Sequence, residues 1–302
     1  MFAQIILAVD GSELSLEAIR QAHGLGLLDS AELHVLAAFD SASVTLGGLL
    51  DLSRERMDAL HDEVVRTCLD PAEALLEELG LNAASRRMIH SDPVQGLVDE
   101  AKRVKAELLV CGRRGFGAVR RLFTGSTSLR LLQMAPCPVL VVPAGLKLDE
   151  QAEGPPRVVL PTDFSRLSEA GVDVGVEVAR SIGAEVHLVH CVSPFEIFPI
   201  GGQPHGDFVQ EELDRLWDYA HNRLDARATA LIESGLKAKP LVRRADPVEG
   251  VIEAAEQARA GLIVTSSHGR RGIERFWLGS TAEGIVQKAT TPVLVVRQTS
   301  ES

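Results

Sequence analysis

Much of what would announce a chemistry is missing from this chain of 302 residues. There is no GxxxxGK[ST], so a Walker-type phosphate loop is excluded. The run "GFGAVR" from Gly115 fails as GxGxxG, because Arg120 stands where the last glycine belongs. No kinase set, no GxSxG and no HExxH occurs. The four cysteines, Cys68, Cys111, Cys137 and Cys191, never fall as CxxC. They read as buried thiols in a reducing compartment, not as a zinc or disulfide framework. Apolar runs such as "IILAV", "LLV" and "VLVV" are far too short for a membrane-spanning helix. The opening "MFAQIILAVD" has no basic leader and meets Asp10 at once, so a signal peptide is not expected and a cytoplasmic location is. Nor is there an excess of positive charge. The formal net charge is -11, which argues against general affinity for nucleic acid or anionic membrane.

What is present is a repeat. "IILAVDGSELS" at 5–15 returns as "VVLPTDFSRLS" at 158–168, and "AELHVLAAF" at 31–39 as "AEVHLVHCV" at 184–192. "SDPVQGLVDEA" at 91–101 returns as "ADPVEGVIEAA" at 245–255, and "APCPVLVVP" at 135–143 as "ATTPVLVVR" at 289–297. Two domains of like fold therefore stand in tandem. They are expected over 1–145 and 157–298, joined by a polar, Gly- and Pro-containing linker over 146–156. A composition of 45% hydrophobic and 24% charged residues gives each domain ample core.

Within each copy short β-branched, leucine-rich runs alternate with helical patterns. The runs lack polar alternation, as strands covered on both faces do. Pro93 after Asp92 marks a helix start, with Val94, Leu97, Val98 and Ala101 on one face. Asp246 and Pro247 repeat the signal before Val248, Val251, Ile252 and Ala255. This alternation predicts a doubly wound α/β sheet, whose ligands bind outside the strand carboxyl ends. Asp10, Ala38 with Asp40, and Gly112 to Gly125 all fall at such ends.

The stretch "GRRGFGAVRRLFTGST" (112–127) is the most pointed of these. Gly112 and Gly115 let backbone approach a ligand. Gly125, Ser126 and Thr127 open a helix whose free N–H groups suit an anion. No Asp or Glu occurs from Leu108 to Leu148, while Arg113, Arg114, Arg120, Arg121 and Arg130 do. The same residues also describe a plain β-to-α loop with a Ser126 cap and a solvated basic face. His187 and His190 read as packing residues or loop-edge donors, not metal ligands.

The spacing Gly112-x2-Gly115-x9-Gly125-Ser126, with "ILAVDGSELS" before it and "CPVLVV" after it, resembles the ATP-binding signature of the universal stress protein family. The resemblance covers almost the whole chain, twice. It implies a five-stranded parallel sheet in each half, with strand order 3-2-1-4-5. It implies ATP across the strand ends, with Asp10 near the adenosine and Ala38 beside the adenine. Asp40 would reach the ribose. Gly112, Gly115, Gly125 and Ser126 would hold ribose and phosphates, assisted by Thr127. In the second half the matching residues are Asp163, Cys191, Gly269, Gly279, Ser280 and Thr281. There Ser266 replaces the first glycine, adding a Cβ and disfavouring positive φ, and Glu274 adds an acid. A weaker second site is expected.

The resemblance further implies that the edge strands Val139–Val142 and Val293–Val296 pair within the chain, and that chains dimerise. The aromatic stretch 193–208 is a lid, a contact surface or a packed connection. No positioned general base or carboxylate pair stands out, so the expected role is an ATP-binding regulatory stress-response protein. Mg²⁺ would enter with ATP, held mainly by phosphates and water. The alternatives are a slow ATPase or phosphotransferase, and an interaction protein that binds no nucleotide.

Overall fold

The computed structural model describes residues 1–39, 59, 61–90, 92–113, 126–145, 154–193, 206–267 and 278–297. The chain separates into two units, Met1–Leu148 and Asp149–Glu274 with Gly279–Gln298. In the first, the elements run β1 (Gln4–Val9), α1 (Glu13–Gly24), β2 (Glu32–Phe39), α2 (Asp70–Glu78), β3 (Ala83–His90), α3 (Pro93–Arg103), β4 (Leu108–Gly112), α4 (Ser126–Met134) and β5 (Val139–Val142). The second unit repeats them as β6 (Arg157–Pro161), α5 (Arg166–Ser181), β7 (Glu185–Val192), α6 (Gly206–Glu233), β8 (Ala238–Arg244), α7 (Pro247–Ala258), β9 (Leu262–Ser266), α8 (Ser280–Lys288) and β10 (Val293–Val296).

The apolar runs are strands because both their faces are covered. Ile5, Ile6, Leu7, Leu108 and Leu109 are fully buried, as are Val158, Val159, Leu160 and Ile263. Within the first unit the order is β3-β2-β1-β4-β5, every neighbour parallel. Within the second it is β8-β7-β6-β9-β10, again parallel throughout. Each unit is therefore the doubly wound sheet that the alternation predicts. The order reverses beside β1 and beside β6, which opens a crevice at their carboxyl ends.

Local chemistry starts the helices where the sequence says. Ser12 caps α1 and Ser165 caps α5, each side chain accepting from the N–H three residues on. Asp92 caps α3 and Asp246 caps α7, with proline in the first turn of each. A π-turn over Val65–Leu69, which nothing in the sequence marks, leads into α2. It brings the Thr67 carbonyl and Cys68 against the loop after β1. All four cysteines are buried thiols, and burial pushes Cys111 and Cys137 up to about 12. Such thiols stay protonated and act as packing groups. Among the described residues no helix is long and apolar enough to cross a membrane.

One ion-paired cluster ties α3 to β3. The buried Glu100 accepts from Arg103 Nη2 at 2.6 Å and from Arg87 Nη1 at 3.1 Å. The Arg103 hydrogen bond, with Arg87 beside it, holds the Glu100 carboxyl below its ordinary value against the opposing effect of burial. A depressed folded value means the contribution is present above the ordinary glutamate range and is lost as pH falls through the folded value. Both arginines are half exposed, so solvent screens the pair. We expect Glu100→Gln to cost about 1 kcal/mol at neutral pH. The difference from the parent should shrink below about pH 4, as urea midpoints at the two pH values will show.

Candidate functional site

Asp10 and Gly112 leave the sheet at neighbouring strand ends. Leu7 of β1 lies level with Val110 of β4, so the two residues emerge side by side. Asp10 is half-buried, and its Oδ1 accepts from the Ser12 N–H at 3.0 Å and from Ser12 Oγ at 2.5 Å. Among the described residues nothing bonds to its Oδ2. Asp163 repeats the turn, its Oδ1 accepting from the Ser165 N–H at 2.9 Å. Each aspartate thus shapes the loop that starts the next helix, whatever else it binds.

The residue after each aspartate takes the left-handed backbone region. In the first unit it is Gly11, at φ +77. In the second it is Phe164, at φ +62, a conformation that a bulky residue adopts only under constraint. Sequence reading passed over both, although the glycine-to-phenylalanine exchange is visible in the repeat.

The glycine pattern has a different physical basis from the one the motif suggests. Neither Gly112 nor Ser266 has positive φ, so glycine is not required there for backbone conformation. What a Cβ on Gly112 would meet is Leu14 of α1, with Cγ at 2.7 Å. Gly112 is therefore a packing glycine as well as a candidate ligand contact. In the second unit Ser266 carries the Cβ, and α5 answers with Gly171. A Cβ on Gly171 would stand 3.0 Å from Ser266 N and 3.1 Å from Ser266 Cβ. Counted from the helix caps, Gly171 holds the position that Ala18 holds in α1. The Ser266 Cβ thus lies against a gap in the helix layer.

The loops that follow are closed at their bases. In the first unit Arg113 N donates to Val142 O at 2.7 Å, and Ser128 Oγ of α4 donates to Arg113 O at 3.2 Å. In the second, Ser267 N donates to Val296 O at 2.8 Å, and Gly279 N to Ser267 O at 2.7 Å. Gly279 caps α8 and has no side chain to spend on the helix, unlike Ser12, Asp92, Ser165 and Asp246. The first-turn N–H groups at Ser280 and Thr281 are left without a cap. α8 carries Glu283 in its first turn, whereas the first turn of α4 holds no acid.

Several predicted residues are placed only in part. Gly115, Gly125, Gly269, Asp40 and Glu274 lie outside the described residues, as do 194–205. For Ala38, Ser126 and Thr127 the backbone alone is described. Cys191 is buried and packs toward α7, where a Cβ on Gly250 would come within 2.6 Å of its Sγ. Only the Cys191 backbone is then available to a nucleobase. His190 is buried with Nδ1 2.8 Å from Thr162 O, and His187 Nε2 lies 3.1 Å from Glu185, the partners of a packed sheet.

The description of the universal stress protein family fits residues 1–143 and again 155–297. The chain belongs to the universal stress protein family. It is similar to a universal stress protein of Mycolicibacterium smegmatis, 32% identical over 97% of this chain and 96% of that one. A universal stress protein of Mycobacterium tuberculosis is 30% identical over 70% of this chain and 68% of its own. The solved universal stress protein of Archaeoglobus fulgidus, 19% identical, covers 99% of this chain and 97% of that chain with a TM-score of 0.70. That likeness shows the fold alone. The tandem arrangement of two universal stress protein domains is thus shared along the whole chain.

The Ser266–Gly171 contact can be tested directly. Gly171→Ala should destabilise by about 1–3 kcal/mol, because its Cβ forces β9 and α5 apart. In a Ser266→Gly background the cost should fall but not vanish, because the Cβ contact is relieved while the Ser266 backbone N stays 3.0 Å from the new Cβ. Equal effects in both backgrounds, measured by thermal and urea unfolding, would refute the coupling.

Proposed function

We propose that this chain is an ATP-binding regulatory protein of the stress response, with one nucleotide crevice in each universal stress protein domain. The observation that carries the reading is the bare glycine cap of α8. It stands at the mouth of a crevice where the strand order reverses, so uncapped N–H groups and the positive helix end face the place a phosphate would take. Ser280 and Thr281 would hold phosphates there. Asp163 and the Cys191 backbone would flank the nucleoside. Asp10, Ala38, Gly112, Gly115, Gly125, Ser126 and Thr127 would do the same in the first domain. Any Mg²⁺ would be carried mainly by the phosphates. The domains are taken as 1–145 and 157–298, in a cytoplasmic protein that pairs its edge strands and dimerises.

The expected ranking of the sites stands on charge. Glu283 in the first turn of α8 opposes a phosphate, while α4 has no such acid. Regulation through conformation or assembly is favoured over turnover, because the sequence offers no positioned general base and no carboxylate pair in or near the loops. Robust hydrolysis by the purified chain would reverse that preference.

Calorimetry with ATP on the whole chain should show two unequal sites, both weakening as salt rises. Glu283→Gln should tighten the weaker one about two- to five-fold. No heat, no thermal shift and no nucleotide released on denaturation would defeat the proposal. Ser126→Ala is the cleaner control for the first site, since Gly112→Ala must also displace Leu14.

A further inference from the structure

The second unit holds an open groove of about 520 Å³ between α5 and α6, over β6 and β7. That lies within the range of small-molecule sites, roughly 300–1,000 Å³. Its floor is apolar, made by Val172, Leu188 and Leu224. Its wall is the strained Phe164 with Tyr219, which is half exposed. Phe164 stacks on His190 at 4.4 Å and meets Tyr219 edge-on at 5.9 Å. Its N–H donates to Thr162 Oγ1 at 2.9 Å, which holds the left-handed turn in place.

Arg223 supplies the charge. Its guanidinium lies 4.7 Å from the Phe164 ring centre and 5.7 Å from that of Tyr219, and it donates to the Tyr219 hydroxyl at 2.9 Å. Among the described residues it forms no ion pair. Arg227 pairs with Asp173, and Glu169 keeps its carboxylate in the lining, turned to Thr162 Oγ1 at 2.7 Å. Among the described residues Arg223 is thus the groove's cation without a carboxylate partner, on an aromatic wall above an apolar floor.

The first unit makes this turn against different neighbours. Its loop makes the same left-handed turn at Gly11. There the Thr67 carbonyl and Cys68 Sγ lie 2.9 and 3.1 Å from where a Cβ would stand, so the helical layer closes directly on the loop. In the second unit the same turn carries a ring in a strained backbone conformation, and the helix over it offers an arginine. Strain of that kind gathers at ligand sites.

We infer that this groove binds a small organic carboxylate with an apolar body. The carboxylate pairs with Arg223, and the body lies between the Phe164–Tyr219 wall and the floor. Phe164 of the wall directly follows Asp163, so the groove adjoins the proposed nucleoside site of this domain, and its ligand is tested in the absence of nucleotide.

The test is calorimetry on the full chain with octanoate and 3-phenylpropionate, beside octanamide and octylamine. The carboxylates should bind saturably. The amide should be about two- to five-fold weaker, because Arg223 is exposed and solvent screens its pair, and the amine should be weaker still. Arg223→Gln should reproduce the amide's loss, and Arg223→Lys should restore part of it. Ala230→Trp, at the exposed rim of the groove, should abolish binding without lowering the melting temperature. The inference is overturned if no carboxylate binds saturably, if acid and amide bind alike, or if neither Arg223→Gln nor Ala230→Trp changes the binding.

Discussion

Each crevice depends on one close approach, that of the first helix of its unit to the end of the neighbouring central strand. A helix can lie flat on a sheet end only where one partner gives up a Cβ. The first unit gives it up on the strand, at Gly112 under Leu14. The second gives it up on the helix, at Gly171 beside Ser266. Interiors are packed too densely for both to be spared or both to be filled. The turn at Asp10 or Asp163, the helix cap that follows it and the base of the glycine loop are all positioned from that contact.

Read this way, the glycine motif carries two burdens. One is the proposed one, letting backbone approach a ligand, and the other is leaving space for a helix to approach the sheet. The Ser266 departure relaxes the second burden by a matched change across the interface. The described helix starts differ in charge, with Glu283 in the first turn of α8 and no acid in that of α4. A carboxylate in the first turn of α8 acts against the same helix end that would attract a phosphate.

The two units also diverge beside the crevice. The left-handed residue after the aspartate is glycine in one and phenylalanine in the other. Around glycine the π-turn closes the layer with a carbonyl and a thiol. Around phenylalanine a ring cluster and an arginine hold the layer open. Duplication kept the backbone turn, while the side chains on it came to serve different surroundings.

Much of this was legible in the residues themselves. Alternating apolar runs and helical faces gave the doubly wound class, because a parallel sheet buries both faces of its strands. Asp-Pro pairs gave the starts of α3 and α7, because caps and proline act within one turn. The repeat gave two domains, and the ordered motifs pointed to the family. Acid-free "GRRGFGAVRRLFTGST" announced its charge without any coordinates. What the sequence could not decide was which way a Cβ points and what it meets. Gly112, expected as a ligand contact, is in the fold the seat of Leu14. Ser266 has Gly171, far away in the chain, opposite it. Phe164, Tyr219 and Arg223 came together only once α6 lay over β7 and β8. Local propensities are written in neighbouring residues and survive translation into one dimension. Contacts between a helix and a strand end a hundred residues apart are properties of packing, and only the folded chain determines them.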